Sequence, residues 1–226
     1  MSANKSTTSR FTLKTWVALG MLTAVAYVIM LLSKMLPSVN GFLDFDFKDV
    51  VICISGFIYG PVPAALISII VAVIESLTIS HTGPIGLLMN ILATCSFCCT
   101  ATYVYKKRHT MWGAVLGLSL GVVALVTVML LWNYLITPIY QGVPREVVVT
   151  MLPTVFLPFN LAKGGLNMAA TLLLYKPVVT ALRKAHLVAP SQSSTPSKKL
   201  NAGFLMFSLA LLATFVNLAL VLWGII

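Results

Sequence analysis

Acidic residues are scarce in this chain. Only 5 of its 226 residues are Asp or Glu, against 15 Lys or Arg, and the charged fraction is 9%. A soluble globular domain carries about 25% charged residues, so an ordinary water-exposed surface is excluded. Histidine occurs three times, as His81, His109 and His186, each in a different predicted loop. With so few acids, no carboxylate pair presents itself for acid–base catalysis. The phosphate-binding pattern G-x-x-x-x-G-K-[ST] is missing, so the chain cannot be its own P-loop ATPase. H-E-x-x-H and G-x-S-x-G are missing too. The four cysteines, Cys53, Cys95, Cys98 and Cys99, all lie in apolar stretches. "CSFCC" contains a C-x-x-C spacing, but no second pair or nearby histidine completes a metal or redox site, and they read as small buried helix residues.

What the chain does have is apolar sequence, 59% of the total. A helix crosses a bilayer with roughly 20 apolar residues, and several runs reach that length. Hydropathy predicts spans at about 13–36, 48–60 (short for a crossing), 63–80, 84–105 and 111–136, the last ending before Pro138. A sixth ends near Leu182. Pro153 and Pro158 remove backbone donors, so its first part should be irregular, with a helix from about Pro158. A seventh run at 203–226 follows a Ser/Pro-rich linker and reads as a tethered addition. The expected organisation is a tail over 1–12, a membrane domain over 13–186, a linker over 187–202 and an extra helix over 203–226. The first run continues past Ala24-Val25-Ala26 and is read as an uncleaved span rather than a signal peptide.

The net charge of +10 would suggest nucleic acid as a partner in a soluble protein. Here the basic residues cluster between apolar spans, which is the pattern of positive-inside topology. With a cytoplasmic N-terminus, Lys5, Arg10, Lys14, Lys106, Lys107, Arg108, Lys176, Arg183, Lys184, Lys198 and Lys199 lie on or near the inside. Only Lys34, Lys48 and Arg145 fall outside. The C-terminus after a seventh crossing is then external.

Against this apolar background, "LPFNLAKGGLN" (157–167) stands out. On a helix Asn160, Lys163, Gly164 and Asn167 share one face. Lys163 lies 13 positions before Lys176, about 20 Å of helix, which puts it in the outer third of the membrane. Amides that donate and accept, beside an ammonium that only donates, suit a small ligand rich in carbonyls and ring nitrogens. The competing reading is structural: interhelical hydrogen bonds, with Lys163 snorkelling or paired to Glu75 or an aspartate. Glu75 is the one acid deep in a predicted span; pairing with a lysine is the favoured reading, ahead of a helix-crossing or proton site. Asn133, in "WNYLITPIY", lies within the apolar run, whereas Trp132 and Tyr140 read as interfacial anchors. Gly20 and Ala24 form a small-xxx-small pair with Ala18 and Ala26 nearby, fit for packing inside the protein or for docking a partner helix.

Several stretches together resemble the substrate-binding subunit, or S component, of energy-coupling-factor (ECF) vitamin transporters, most of all its riboflavin-specific branch. They are "AYVIMLL", "FLDFDFKDV", "GFIYGP", "TGPIGLLMN", "NYLITPIY" and "LPFNLAKGGLN…LLLYKPV", in order over about residues 20–180. The resemblance implies an all-α integral membrane protein with six transmembrane helices, to which the seventh run is an addition. It implies an outward-facing vitamin site lined by spans 4, 5 and 6 and covered by the loop between spans 1 and 2, with Phe42, Leu43 and Asp46 in that loop. Asn133, Asn160 and Lys163 match positions that hydrogen-bond the flavin; Asn167 shares their face. Gly83, Gly86, Met89 and Asn90 match the start of span 4. Ala18, Gly20 and Ala24 take the place of the docking motif for the coupling protein.

The implied partners are riboflavin, membrane lipid, a transmembrane coupling protein and two cytoplasmic ATPase subunits, with no nucleic acid. Riboflavin would be transported, not held as a cofactor, and the subunit would be no enzyme; it would topple in a prokaryotic plasma membrane to release vitamin inward. Three departures stand out: Asp44 replaces a basic residue and Val51 a proline, Gly20 replaces an alanine, and the seventh span is extra. The alternatives are an S component for another vitamin, or a membrane-embedded ion pathway or enzyme. Thiamin is cationic and would be opposed by Lys163; folate would call for more external basic residues than Lys34, Lys48 and Arg145.

Overall fold

A computed structural model describes residues 12–79, 82–188 and 202–225. The tail over 1–11, His81 and most of the expected linker lie outside the described residues. The described chain forms α1 (Leu13–Ser33), α2 (Lys48–Tyr59), α3 (Pro61–Thr78), α4 (Gly83–Lys107), α5 (Met111–Gln141), α6 (Arg145–Met151), a π-helical turn (Leu152–Phe156), α7 (Leu157–Lys184) and α8 (Ala202–Leu222). Six stretches are long and apolar enough to cross a membrane: α1, α3, α4, α5, the run Arg145–Lys184 and α8. The missing expected span is α2. Its 12 residues cover about 18 Å, too little for a crossing, and every residue from Lys48 to Phe57 is buried. It is a central core helix around which α1, α3, α4 and α7 pack.

Local chemistry sets most helix ends. Thr12 caps α1 by accepting from the Thr15 N–H at 3.3 Å, and Thr110 caps α5 by accepting from the Gly113 N–H at 2.9 Å. Pro61 and Pro84 stand in the first turns of α3 and α4, where a missing N–H costs nothing. α1 stops at Ser33, three residues short of the expected end, as the chain turns toward Pro37. Pro138 does not end α5 as expected; it lies inside the helix, which runs on to Gly142 in the left-handed conformation at φ 65°. Proline's own φ is helical, and near a helix end the single lost bond is tolerated. The irregular start expected for the sixth span is present, as the π-helical turn containing Pro153.

α4 and α5 form the tightest seam. A Cβ on Gly117 would lie 2.6 Å from the Ala101 carbonyl oxygen, and one on Gly121 would lie 2.7 Å from that of Phe97. These two glycines, one turn apart, let the backbones meet. α8 is not merely tethered. It packs along α7, and the Phe215 ring fills the space a side chain on Gly165 would need. Large apolar residues such as Leu77, Leu131 and Ile139 remain on the outside, as expected where the solvent is lipid.

Candidate binding site

At one end of the bundle the C-termini of α1, α3 and α5 meet the N-termini of α2, α4 and α7. Between them lies a cavity of about 590 Å³, roofed by the loop that joins α1 to α2. The loop is ordered by its own bonds. Val39 and Leu43 exchange backbone hydrogen bonds of 2.8 and 3.1 Å around a turn at Asn40-Gly41. Both turn residues have positive φ, 52° and 77°, which Asn and Gly tolerate best. The Phe47 N–H donates to Ser33 Oγ at 3.1 Å, tying the loop's far end back to α1.

Four of the chain's five acids converge here with three lysines. Lys34 Nζ lies 2.9 Å from Asp44 and 3.2 Å from Glu75. Lys48 Nζ lies 3.1 Å from the other Glu75 oxygen and 3.2 Å from Asp46. Lys163 Nζ reaches the same Asp46 Oδ2 at 2.9 Å. The result is one chain of ion pairs, Asp44–Lys34–Glu75–Lys48–Asp46–Lys163, with three positive and three negative members. Asp49 sits just beneath, accepting from Thr94 Oγ1 at 2.8 Å. In the loop, burial pushes the Asp46 carboxyl up, but the charges of Lys163 and Lys48 outweigh it and hold the group well below the usual carboxylate range. Burial likewise opposes ionisation of Asp44, and the hydrogen bonds from Lys34 and Ser38 overcome it, so its pKa is lowered.

The structure brings most of the expected residues to the cavity. Phe42, Leu43, Asp46, Met89, Asn90, Asn133, Asn160 and Lys163 all line it. Asn133 donates one amide hydrogen to the Met129 carbonyl at 2.7 Å, and its oxygen accepts from Thr137. Asn160 donates one to the Phe156 carbonyl, also at 2.7 Å. Each amide nitrogen carries two hydrogens, so the fixed bond orients the group and leaves one donor over.

Other expected residues stand behind the wall. Asn167 is buried and donates to the backbone carbonyls of Asp46 and Lys163, both at 3.0 Å, pinning loop to helix. Gly83 begins α4 with φ 60°, and Gly86 is packed so closely on Thr82 that no Cβ fits; neither lines the cavity. In α1, Gly20 and Ala24 are exposed, with open space beside Gly20. Ala18, expected beside them at a docking surface, is fully buried in the bundle, because α1 turns that face inward.

Sequence reasoning did not anticipate Lys34, Ser38, Asp44, Glu75 and Phe159 as cavity residues. Lys34 and Asp44 are charged residues flanking Pro37 and the Asn-Gly turn, and that placement is the signal that could have found them.

A helical membrane bundle with a roofed polar cavity at one end has the shape of a small-molecule binding site. The chain belongs to the family of ECF transporter substrate-specific components, whose sequence profile matches residues 14–179; it is a transport subunit rather than an enzyme. It is similar to the riboflavin transporter FmnP of Bacillus subtilis, at 29% identity over 77% of this chain and 98% of the relative. The riboflavin transporter RibU of Staphylococcus aureus matches at 26% identity over 76% of this chain and 93% of its own length. Among solved structures, the S component of a bacterial ECF transporter superposes with a TM-score of 0.64 and 26% identity, covering 75% of this chain and 98% of that one. The profile match ends before α8.

Proposed function

We propose that the protein is the riboflavin-binding subunit of an ECF transporter. The observation that carries this reading is the charge balance of the cavity wall. Lys34 and Lys163 on the wall, together with Lys48 buried behind it, neutralise Asp44, Asp46 and Glu75, so the site has no net charge to spend on an ionic ligand. A cationic vitamin would meet Lys163, and a polyanionic one would meet no unpaired cation in this network. An uncharged ligand with carbonyl and ring-nitrogen acceptors matches the spare amide hydrogens of Asn133 and Asn160 and the remaining hydrogens of Lys163. Phe42, Phe159, Met89 and Met129 supply apolar surface for a flat ring system. The volume suits a ligand of that size, since small-molecule sites run about 300–1,000 Å³. Relatives named as riboflavin transporters support the same ligand.

The cavity opens outward and the opposite end is cytoplasmic. Lys106, Lys107, Arg183 and Lys184 end α4 and α7, the two spanning helices that start at the cavity, and the excess of Lys and Arg marks the inside. Asn133, Asn160 and Lys163 hold the flavin edge, and the loop carrying Phe42, Leu43 and Asp46 closes over it. Gly20 and Ala24 on the exposed face of α1 receive the transmembrane coupling protein, and two ATPases below it drive reorientation in a bacterial plasma membrane. Purified protein should carry a yellow chromophore or quench the fluorescence of added riboflavin with one-to-one stoichiometry. Folded protein that does neither sinks the reading.

A further inference from the structure

We propose that α8 is a clamp on the loop that roofs the cavity, and that Trp223 is its positioning residue. The family's matched segment stops at residue 179, so α8 contributes something the shared bundle does not require. Its far end reaches the loop directly. The Trp223 indole N–H donates to the Pro37 carbonyl at 2.8 Å. The same indole stands edge-on to Phe45, ring centroids 5.3 Å apart at 78°. Phe45 in turn packs on Phe159 of α7 at 5.0 Å, and Phe159 lines the cavity.

The loop therefore has two independent sets of ties. From the inside, Asp44 and Asp46 are held by lysines of the cavity wall. From the outside, Trp223 grips both limbs of the turn, the backbone at Pro37 and the side chain at Phe45. The grip is seated on a fixed base, because α8 is docked on α7 through Phe215 against Gly165. Opening the roof to admit or release a ligand must break the Pro37 bond and part the two rings. Trp223 touches no cavity surface; it acts through the loop, and sets how long a ligand stays.

The consequence for riboflavin rests on the function proposed above, and two readouts keep the two claims separate. Trp223→Phe keeps a ring but loses the donor; Trp223→Ala loses both. In the full-length, ligand-free protein, hydrogen exchange across residues 34–47 should speed up in both variants, more in Trp223→Ala, while α4 and α5 amides keep wild-type rates. With riboflavin bound, dissociation should be about 2- to 10-fold faster for Trp223→Phe, the range of one neutral hydrogen bond. It should be about tenfold faster or more for Trp223→Ala, where an aromatic contact goes as well. Binding stoichiometry should be unchanged. Wild-type exchange in the loop of both variants overturns the clamp, as does acceleration spread evenly over the bundle, which is the mark of general destabilisation. A wild-type protein that fails to bind riboflavin overturns the proposed ligand, and the exchange measurement still decides the clamp.

Discussion

The seam between α4 and α5 and the roofed end of the bundle are held together by opposite means. In the seam, glycines bring backbones into van der Waals contact with nothing charged involved. At the roofed end, charges from α2, α3, α7 and the loop are threaded into one ion-pair chain beside a void. The seam has one arrangement and no way to relax, since the neighbours of Gly117 and Gly121 are backbone carbonyls that cannot swing aside. The roofed end has partners that can be exchanged: a ligand can substitute for a contact without unpacking a helix. The cavity lies where the bonds are directional and replaceable, and rigidity where they are not.

The sharpest way to break the comparison is at Lys48, the buried link between Asp46 and Glu75. Lys48→Ala leaves two carboxylates without their shared cation, and breaking a buried pair costs about 3–5 kcal/mol. The fall should appear in thermal unfolding in detergent, and Glu75→Gln in the same chain should recover part of it. Next is the seam. Gly121→Val should cost about 1–3 kcal/mol by overpacking, with riboflavin affinity retained by the molecules that fold; a wild-type melting curve would mean the seam is looser than its geometry.

Substitutions in the cavity wall should weaken binding, at a smaller cost to stability than Lys48→Ala because Asp46 keeps Lys48 when Lys163 is lost. Lys163→Ala should lose about 1.5–3 kcal/mol of riboflavin affinity and Asn160→Ala about 0.5–1.5 kcal/mol, the ranges for charged and neutral hydrogen bonds. Titration by fluorescence quenching reads both, and two variants that bind like wild type would move the pocket elsewhere. The smallest effect concerns pH. Asp44 has a lowered pKa in the folded loop, so its contribution is complete above the ordinary carboxylate value and is lost as pH falls through the folded one. Loop protection, with the intrinsic pH dependence of amide exchange divided out, should be flat near neutrality and fall only in acid, below about pH 4; Asp44→Asn should reduce that fall.

Much of this architecture is legible in the amino-acid order. Bilayer thickness forces spanning runs to a narrow length, so α1, α3, α4 and α5 can be placed to within a few residues, apart from the C-terminal end of α5. The polar face of α7 is legible for the same reason, because an ammonium and two amides inside an apolar helix need partners. Asn133 is visible as an amide inside such a run. Other features depend on distance in the chain. Glu75 and Lys48 are 27 residues apart, and Asp46 and Lys163 are 117 apart; no periodicity links them. Local rules also misplace Pro138, since proline's missing donor predicts a break that a terminal turn absorbs. Ala18 sits in the same small-residue pattern as Gly20, but the pattern does not say which way α1 faces.

By itself the sequence determined that the chain lives in a membrane, where the long apolar helices α1, α3, α4 and α5 lie, which end of them is basic, and that α7 carries a polar face. Those are consequences of transfer free energy and helix geometry, which act residue by residue. Only the tertiary structure decided that Lys163 finds Asp46, that three lysines and three carboxylates cancel around one cavity, and that α8 returns to grip the roof through Trp223. The reason is physical: an ion pair, a void and an aromatic contact belong to relative positions in space, and these exist only once the helices have packed.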